Sequence, residues 1–327
     1  MTTAADVALE TFKERVAELD ASLGPGSLPL SATPALRRAA SRLVSDQLYV
    51  EFGAAGREDV TVVDHVIDGG TGGTLPIRVY RPESVGGVLS VHLVLHGGGW
   101  WSGSPHELVD DALNRDRAAH GGVTVVAVDY ALAPENPFPA GLHDAVKALD
   151  WIRAGGLGPG SDPAQVSVGG TSAGGNLAAA LTIAAALDGK PPLRGLILEV
   201  PALDLRPGAL TADDWDRSPT GSDDATWRDL VGGYLPDPAL AESPLVSPLL
   251  AADLTVFPPT HVLAAGRDPL YSQAVLFAER LEAAGVPVTC HGFPDAIHAS
   301  GYLSACWSTA REWNLAAVTA LKDLHGR

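Results

Sequence analysis

The spacing of apolar residues divides this chain into two regions that meet near residue 90. In the first region, residues 5 to 23 and 35 to 50 carry apolar side chains at helical spacing, with a turn-rich connector between them. They predict two helices that precede every strand, and the pattern leaves open whether these helices pack on the core or form a lid. Residues 60 to 68 and 74 to 82 read as two strands joined by a Gly/Thr-rich turn, which predicts a β-hairpin.

After residue 90, short apolar runs alternate with segments of helical spacing. The runs occupy residues 91–95, 123–128, 166–168, 196–200, 261–265 and 288–293. Such alternation is typical of a mostly parallel central sheet flanked by helices, and it predicts the α/β fold class. One connection, residues 201 to 260, is longer than an ordinary crossover and includes an acidic stretch with Trp215 and Trp227. We interpret it as an insertion at the carboxyl edge of the sheet.

The net charge of the chain and the composition of its first residues exclude some partners and favour one location. The 327 residues carry a net charge of -17, so nucleic acid and anionic membrane surfaces, which would repel the chain, are excluded as partners. The beginning of the chain has no basic leader followed by an apolar run, and this favours a cytoplasmic location. Residues 169 to 187 lack charge, but their Ala- and Gly-rich composition predicts a buried helix, so we expect no stable membrane insertion.

The chain contains two cysteines, Cys290 and Cys306. Their number and spacing fit neither a disulfide framework nor a metal motif, and we expect buried, reduced thiols. We also expect that the protein uses no metal and no cofactor.

The clearest chemical signal is the motif Gly170-Thr171-Ser172-Ala173-Gly174, which lies between an apolar run and an alanine-rich helical segment. In a G-x-S-x-G elbow a strand turns sharply into a helix and presents the serine Oγ above the sheet. Glycines are needed there because neighbouring backbone comes too close for a Cβ atom. The free N–H groups at the start of the following helix favour negative charge on a bound carbonyl oxygen. Ser172 is therefore the candidate nucleophile.

A second motif, His96-Gly97-Gly98-Gly99-Trp100, follows the apolar run at residues 91 to 95. Glycines at the end of a strand allow backbone N–H groups to face a substrate oxygen without obstruction by side chains. The motif matches the HGGG oxyanion loop of lipases and esterases.

Together these motifs resemble the hormone-sensitive-lipase-like family of bacterial esterases, in its GTSAG branch. The matching stretches are HGGGW (96–100), DYALAPENPFPA (129–140), GTSAGGNLA (170–178), SPLLA (247–251), GRDPL (266–270) and FPDAIHAS (293–300). The resemblance implies an α/β hydrolase fold, a Ser-Asp-His triad, an oxyanion hole and a helical cap. We place the cap at residues 1–50 and 205–240 and the core at 51–204 and 241–327, and we expect the two cap parts to meet over Ser172.

The resemblance also indicates the triad histidine. His298 is predicted to lie in a loop after the last strand, where its imidazole can take the proton of Ser172 and pass it to the leaving alkoxide. Other histidines compete less well: His291 falls within a predicted strand, His96 belongs to the glycine loop, and His325 is at the tail.

Two carboxylates compete for the role of orienting His298. Asp268 follows the apolar run at residues 261 to 265, and the family match of GRDPL favours it. Asp204 follows the preceding run and is the rival, since some hydrolases place the acid there. Asp295 is interpreted as a carboxylate of the loop before His298.

Under this resemblance the negative charge of a tetrahedral intermediate is held by the N–H groups of Gly97, Gly98 and Ala173. The bulky Trp100 and Trp101 beside these glycines are the predicted substrate-binding residues and should restrict the acyl side to short chains of roughly two to six carbons.

The sequence departs from the family where Ala131 replaces a frequent arginine and where Ala299-Ser300 replaces the usual Gly-Phe. The overall prediction is a serine carboxylesterase that acts on short-chain acyl esters, as small-molecule substrates, through an acyl-enzyme. An amidase or lactonase with the same triad is one alternative. A non-catalytic receptor of the same fold is another, which the presence of His298 disfavours. A homodimer is left open beside a monomer.

Overall fold

The computed structural model describes residues 4–29, 31–219, 222–298 and 300–326. Residues 1–3, 30, 220 and 221 of the predicted cap lie outside the described residues. The helices are α1 (Ala4–Ser22), α2 (Pro34–Phe52), α3 (Leu108–Gly121), α4 (Ala140–Arg153), α5 (Ala173–Leu187), α6 (Ala212–Trp215), α7 (Asp224–Tyr234), α8 (Tyr271–Ala283) and α9 (Ser308–His325). The strands are β1 (Val60–Asp68), β2 (Thr74–Pro82), β3 (Leu89–Leu95), β4 (Thr124–Val128), β5 (Ser161–Thr171), β6 (Gly195–Glu199), β7 (Thr260–Arg267) and β8 (Val288–Ile297).

The strands form one sheet in the order β1-β2-β4-β3-β5-β6-β7-β8. β1 and β2 form the predicted antiparallel hairpin, and β2 is also antiparallel to β4. Every other pairing is parallel. The prediction of a mostly parallel sheet flanked by helices is confirmed. One detail is wrong: β8 continues to Ile297, so Asp295 lies within this edge strand and not in a loop.

Helices cover both faces of the sheet. Alternate side chains of β4 point to opposite sides, so that Val126 belongs to the apolar cluster that includes residues of α4, α5 and α8, while Val125 belongs to the cluster that includes residues of α3 and α9. The charge-free helix α5 is almost entirely buried behind the sheet. Within the described ranges, none of the helices combines the length and the apolar character needed to cross a lipid bilayer.

The two N-terminal helices pack against the end of the chain that follows β8. Leu9 and Phe12 of α1 form an apolar cluster with Leu303 and Trp307. Helix α2 packs on α3 and on the short 3₁₀ helix Ser300–Leu303. This placement brings α2 beside the carboxyl edge of the sheet.

The expectation of buried cysteines is wrong. Cys290 and Cys306 are free, but both are exposed. Cys290 lies on β8, which forms the edge of the sheet and is largely uncovered, and Cys306 lies in the connection before α9.

Candidate active site

Ser172 occupies the sharp turn between β5 and α5. Its backbone has φ 58° and ψ −115°, a region that non-glycine residues rarely adopt. A Cβ on Gly170 would lie 2.3 Å from the carbonyl oxygen of Gly174, and one on Gly174 would lie 2.0 Å from that of Leu95. Both glycines of the motif are therefore required by close backbone approach. The strained turn is held by the Ser172 N–H, which donates to the carbonyl of Glu199 at 2.8 Å.

Three predicted residues lie within hydrogen-bonding distance of one another. The Nε2 atom of His298 is 3.0 Å from the Oγ of Ser172, and its Nδ1 is 2.7 Å from the Oδ2 of Asp268. Because an ionised carboxylate can only accept, Nδ1 carries a proton and Nε2 of the neutral ring is left as an acceptor for the serine hydroxyl. The arrangement can remove a proton from Ser172.

The electrostatics of this group favour a positive charge on the imidazole. Burial lowers the pKa of His298, but the charge of Asp268 and its hydrogen bond act in the opposite direction and raise the pKa above its ordinary value. Asp268 itself is fully buried, and its second oxygen accepts the N–H of Leu270 at 2.9 Å. The side chain of His298 is 41% exposed, which leaves it accessible to substrate.

The rival acid does not contact His298. The carboxylate of Asp204 pairs with Arg206 at 2.8 Å. Asp295 is exposed on β8. After His298, Ala299 lies outside the described residues, while Ser300 closes the turn by accepting the N–H of Ile297 at 3.0 Å.

The other histidines lie elsewhere. His291 is 3.2 Å from His261, and His325 is 2.8 Å from Ser167. His96 is stacked on Tyr130, and burial lowers its pKa.

The glycines after β3 lie directly beside Ser172. A Cβ placed on Gly97 would be 3.8 Å from the Cβ of Ser172, and Gly98 has φ 111° with no room for a side chain next to Ser102. Within the described residues, the N–H groups of Gly97, Gly98 and Ala173 donate no hydrogen bond to the protein. They lie around the serine and are free to bind an anionic oxygen.

Two cavities open on either side of Ser172 and His298. The larger, of about 370 Å³, is mainly apolar and lies under the insert. Its aromatic and aliphatic lining residues are Trp100, Trp101, Leu210, Trp215, Trp227 and Leu230. The smaller, of about 200 Å³, is lined partly by Ser45 of α2 and by Tyr302, and Glu107 and Asp110 also face it. Within it, burial raises the pKa of Asp110 to about 8.

Both predicted substrate-binding tryptophans line the larger cavity, but they are held differently. Trp100 is buried and stacks on Tyr234, with ring centroids 4.6 Å apart. Trp101 is partly exposed, and its carbonyl is bound by α2. Trp227 from α7 lies against Trp100 at 6.2 Å, so the insert forms the opposite wall.

The sequence pattern did not predict the group that supports the elbow from inside the sheet. Glu199 is the last residue of the apolar strand β6, and its buried carboxylate pairs with Arg117 and accepts the indole N–H of Trp313 at 2.7 Å. Its backbone carbonyl holds the N–H of Ser172. A charged residue within an apolar run was the available signal, because buried charges are nearly always paired.

Comparisons with known proteins agree with this geometry. A family model described as alpha/beta hydrolase fold matches residues 92–301. Carboxylesterase NlhH of Mycobacterium tuberculosis is 36% identical over 239 residues, which cover 70% of this chain and 72% of that protein. An arylesterase of Saccharolobus solfataricus is 33% identical over 251 residues, covering 76% and 79%. A hyperthermophilic esterase from Pyrobaculum calidifontis superposes with a TM-score of 0.84 at 30% identity, over 96% of this chain and 97% of that one.

Proposed function

This chain belongs to the alpha/beta hydrolase family, in its hormone-sensitive-lipase-like branch, and is a carboxylic ester hydrolase; from that premise we propose that Ser172 is the nucleophile. His298 is the general base and Asp268 the group that orients it. The observation that carries the proposal is the continuous chain of hydrogen bonds from Ser172 Oγ through the imidazole to Asp268, at 3.0 and 2.7 Å.

The proposed reaction has two halves. Ser172 Oγ attacks the ester carbonyl while His298 Nε2 takes its proton, and the resulting oxyanion is bound by the N–H groups of Gly97, Gly98 and Ala173. The imidazolium, stabilised by Asp268, then protonates the leaving alkoxide, and an acyl-enzyme remains. Water attacks this acyl group with His298 as base, which releases the acid and restores the hydroxyl of Ser172.

We further propose that the cap consists of residues 1–50 and 205–240 and that it bounds the substrate on two sides. Support comes from the lining of the cavities: residues of α6 and α7 line the larger one, and residues of α2 line the smaller one. A volume of about 370 Å³ is at the low end of ligand pockets, which span roughly 300 to 1,000 Å³. The acyl chain is placed in this apolar cavity, with best turnover for about two to six carbons. A cytoplasmic location and a homodimer stay predictions from sequence.

The test is a series of p-nitrophenyl esters from acetyl to palmitoyl, together with the anilide of the preferred acyl group. Each methylene that fits should raise kcat/KM by at most about fourfold, from roughly 0.8 kcal/mol, until the cavity is full. The variant Ser172→Ala should keep its circular dichroism spectrum and lose about five to six orders of magnitude in kcat. Near wild-type turnover in that variant would refute the nucleophile. A maximum at palmitoyl would refute the placement of the acyl chain, and preference for the anilide would indicate an amidase.

A further inference from the structure

One polar face of helix α2 lies along the segment that follows the glycines after β3. Arg38, Arg42, Ser45 and Asp46 have the spacing that places side chains on a single face of a helix. Each of them contacts segment 101–108. The contacts run in order along both: Arg38 Nε to the carbonyl of Trp101 (2.7 Å), Arg42 Nη2 to the carbonyl of His106 (2.6 Å), Ser45 Oγ to the carboxylate of Glu107 (2.5 Å) and the carboxylate of Asp46 to the N–H of Leu108 (2.8 Å).

Arg38 makes the contact nearest to the proposed oxyanion loop, and it joins three parts of the chain. Besides the Trp101 carbonyl, its guanidinium donates to the carbonyl of Ala133 at 3.1 Å and pairs with the carboxylate of Glu135. Ala133 in turn donates its N–H to the carbonyl of Trp100 at 2.9 Å. The planar guanidinium, with donors in a fixed fork, thus holds the glycine loop against the turn that follows β4.

The residues held by Arg38 close the turn that contains the glycines. The carbonyl of Gly98 accepts the N–H groups of Trp101 at 3.2 Å and of Ser102 at 3.0 Å. Each peptide unit is planar, so a hydrogen bond that fixes a carbonyl also fixes the plane of its peptide. With the carbonyls of Gly98 and Trp101 both held, the orientations of the peptide planes between these two residues are restricted. The direction of the preceding N–H groups depends on those planes.

We propose that Arg38 is a positioning residue that orients the N–H groups of Gly97 and Gly98 toward the developing oxyanion. The inference rests on the proposed esterase mechanism and extends it to the N-terminal helices, whose residues Ser41 and Ser45 line the smaller cavity beside Ser172. Among the described residues that line the two cavities beside Ser172, Arg38 is not included, so its effect is transmitted through the backbone of the loop.

The expected effect is on turnover more than on substrate binding. Loss of an oxyanion donor lowers kcat by about 10²- to 10³-fold, and a misplacement of about 1 Å can cost about 10²-fold. Arg38→Ala leaves the donors in place but less well directed, so we expect kcat to fall about 10- to 100-fold with KM changed by less than about threefold. Arg38→Lys, which keeps the charge and one donor group, should recover part of the loss.

Arg37→Ala is the matched control. Arg37 neighbours Arg38 on the same helix, but its guanidinium donates to the carbonyl of Pro29 at 3.1 Å and not to segment 101–108. Glu135→Gln forms a second control, because it removes the ion pair while leaving both carbonyl contacts of Arg38 in place. Both controls should stay within about threefold of wild type, since exposed ion pairs contribute little.

Active sites are counted by titration with a fluorophosphonate run to completion, and kcat is expressed per titrated site. The inhibition constant of a trifluoromethyl ketone, whose adduct carries an oxyanion, should rise in Arg38→Ala by the same factor by which kcat/KM falls. A kcat per site within twofold of Arg37→Ala would overturn the inference, and so would a loss confined to the number of titratable sites. If wild type neither reacts with the fluorophosphonate nor hydrolyses p-nitrophenyl acetate, the proposed function itself fails.

Discussion

Replacement of Asp268 by asparagine tests whether this carboxylate orients His298, as proposed, or has only a structural role. In the wild type, Oδ2 faces the Nδ1 of His298 at 2.7 Å and Oδ1 accepts the N–H of Leu270 at 2.9 Å. An asparagine keeps the size but has only one acceptor oxygen, which the N–H of Leu270 will bind. Its NH₂ group then faces Nδ1 and favours the tautomer protonated at Nε2, which cannot accept the proton of Ser172. We expect kcat to fall about 10⁴-fold, or roughly 5 kcal/mol.

The pH dependence of the same variant has a definite sign. The base must be neutral to act, and the pKa of His298 in the wild type is raised above its ordinary value, so kcat/KM should decline on the acid side at a pH above about 6.5. Removal of the Asp268 charge leaves burial as the dominant influence, which lowers the pKa of His298. The acid limb of Asp268→Asn should therefore move to lower pH. This shift, measured against wild type, distinguishes His298 from Asp110, whose pKa of about 8 would stay where it is.

Asp204→Asn is the matched control for Asp268→Asn. Asp204 pairs with Arg206, whose side chain is 39% exposed, and does not contact His298. Its replacement should change kcat by less than about threefold, because the amide of asparagine leaves no buried charge and the partly exposed Arg206 can be rehydrated. Thermal unfolding of both variants verifies that they fold. A larger loss in Asp204→Asn than in Asp268→Asn, or an acid limb unchanged in the latter, would refute the assignment.

Two further predictions concern the glycine loop and the thiols. Gly98→Ala should lower kcat by about 10²-fold or more, because the added Cβ would lie 2.2 Å from the carbonyl oxygen of Ser102. Gly73→Ala is the control and should leave turnover within about twofold, because there is open space around Gly73. Equal turnover in the two variants would contradict this prediction. Titration of the denatured protein with a thiol reagent should count two free groups at Cys290 and Cys306, and the folded protein should react at both because both are exposed; a count near zero would indicate oxidation.

The sheet was predictable where apolar and polar residues follow a clear local pattern. The hairpin strands have the predicted bounds, Val60–Asp68 and Thr74–Pro82, because a strong turn signal separates two alternating runs. β5 begins at Ser161, ahead of the predicted run, since Ser161 pairs with Leu89 of β3. Polar residues at strand ends carry no periodic signal, and long-range pairing decides their conformation.

The candidate site likewise contains parts that the sequence predicts and parts that it does not. Ser172 and the glycines lie in motifs whose geometry is local, so their positions follow from a few neighbouring residues. The contact between His298 and Asp268 spans thirty residues, and only the family resemblance favoured Asp268 over Asp204. The pair Arg117–Glu199 and the contacts of Arg38 carry no motif at all, because they join polar residues that are distant in sequence.

Glu199 and Arg38, which hold the elbow and the glycine loop, differ in burial. This difference predicts whether a substitution affects folding or the rate of the reaction. The elbow is held from within by Glu199, whose carboxylate is paired with Arg117 in the core; removing one partner of such a pair typically costs about 3 to 5 kcal/mol because an unpaired charge stays buried. The loop before the elbow is held from outside by Arg38, whose side chain is 21% exposed and can be rehydrated when the contact is lost. Changes beneath the elbow should therefore act first on folding, whereas changes in α2 should act first on the rate of the reaction.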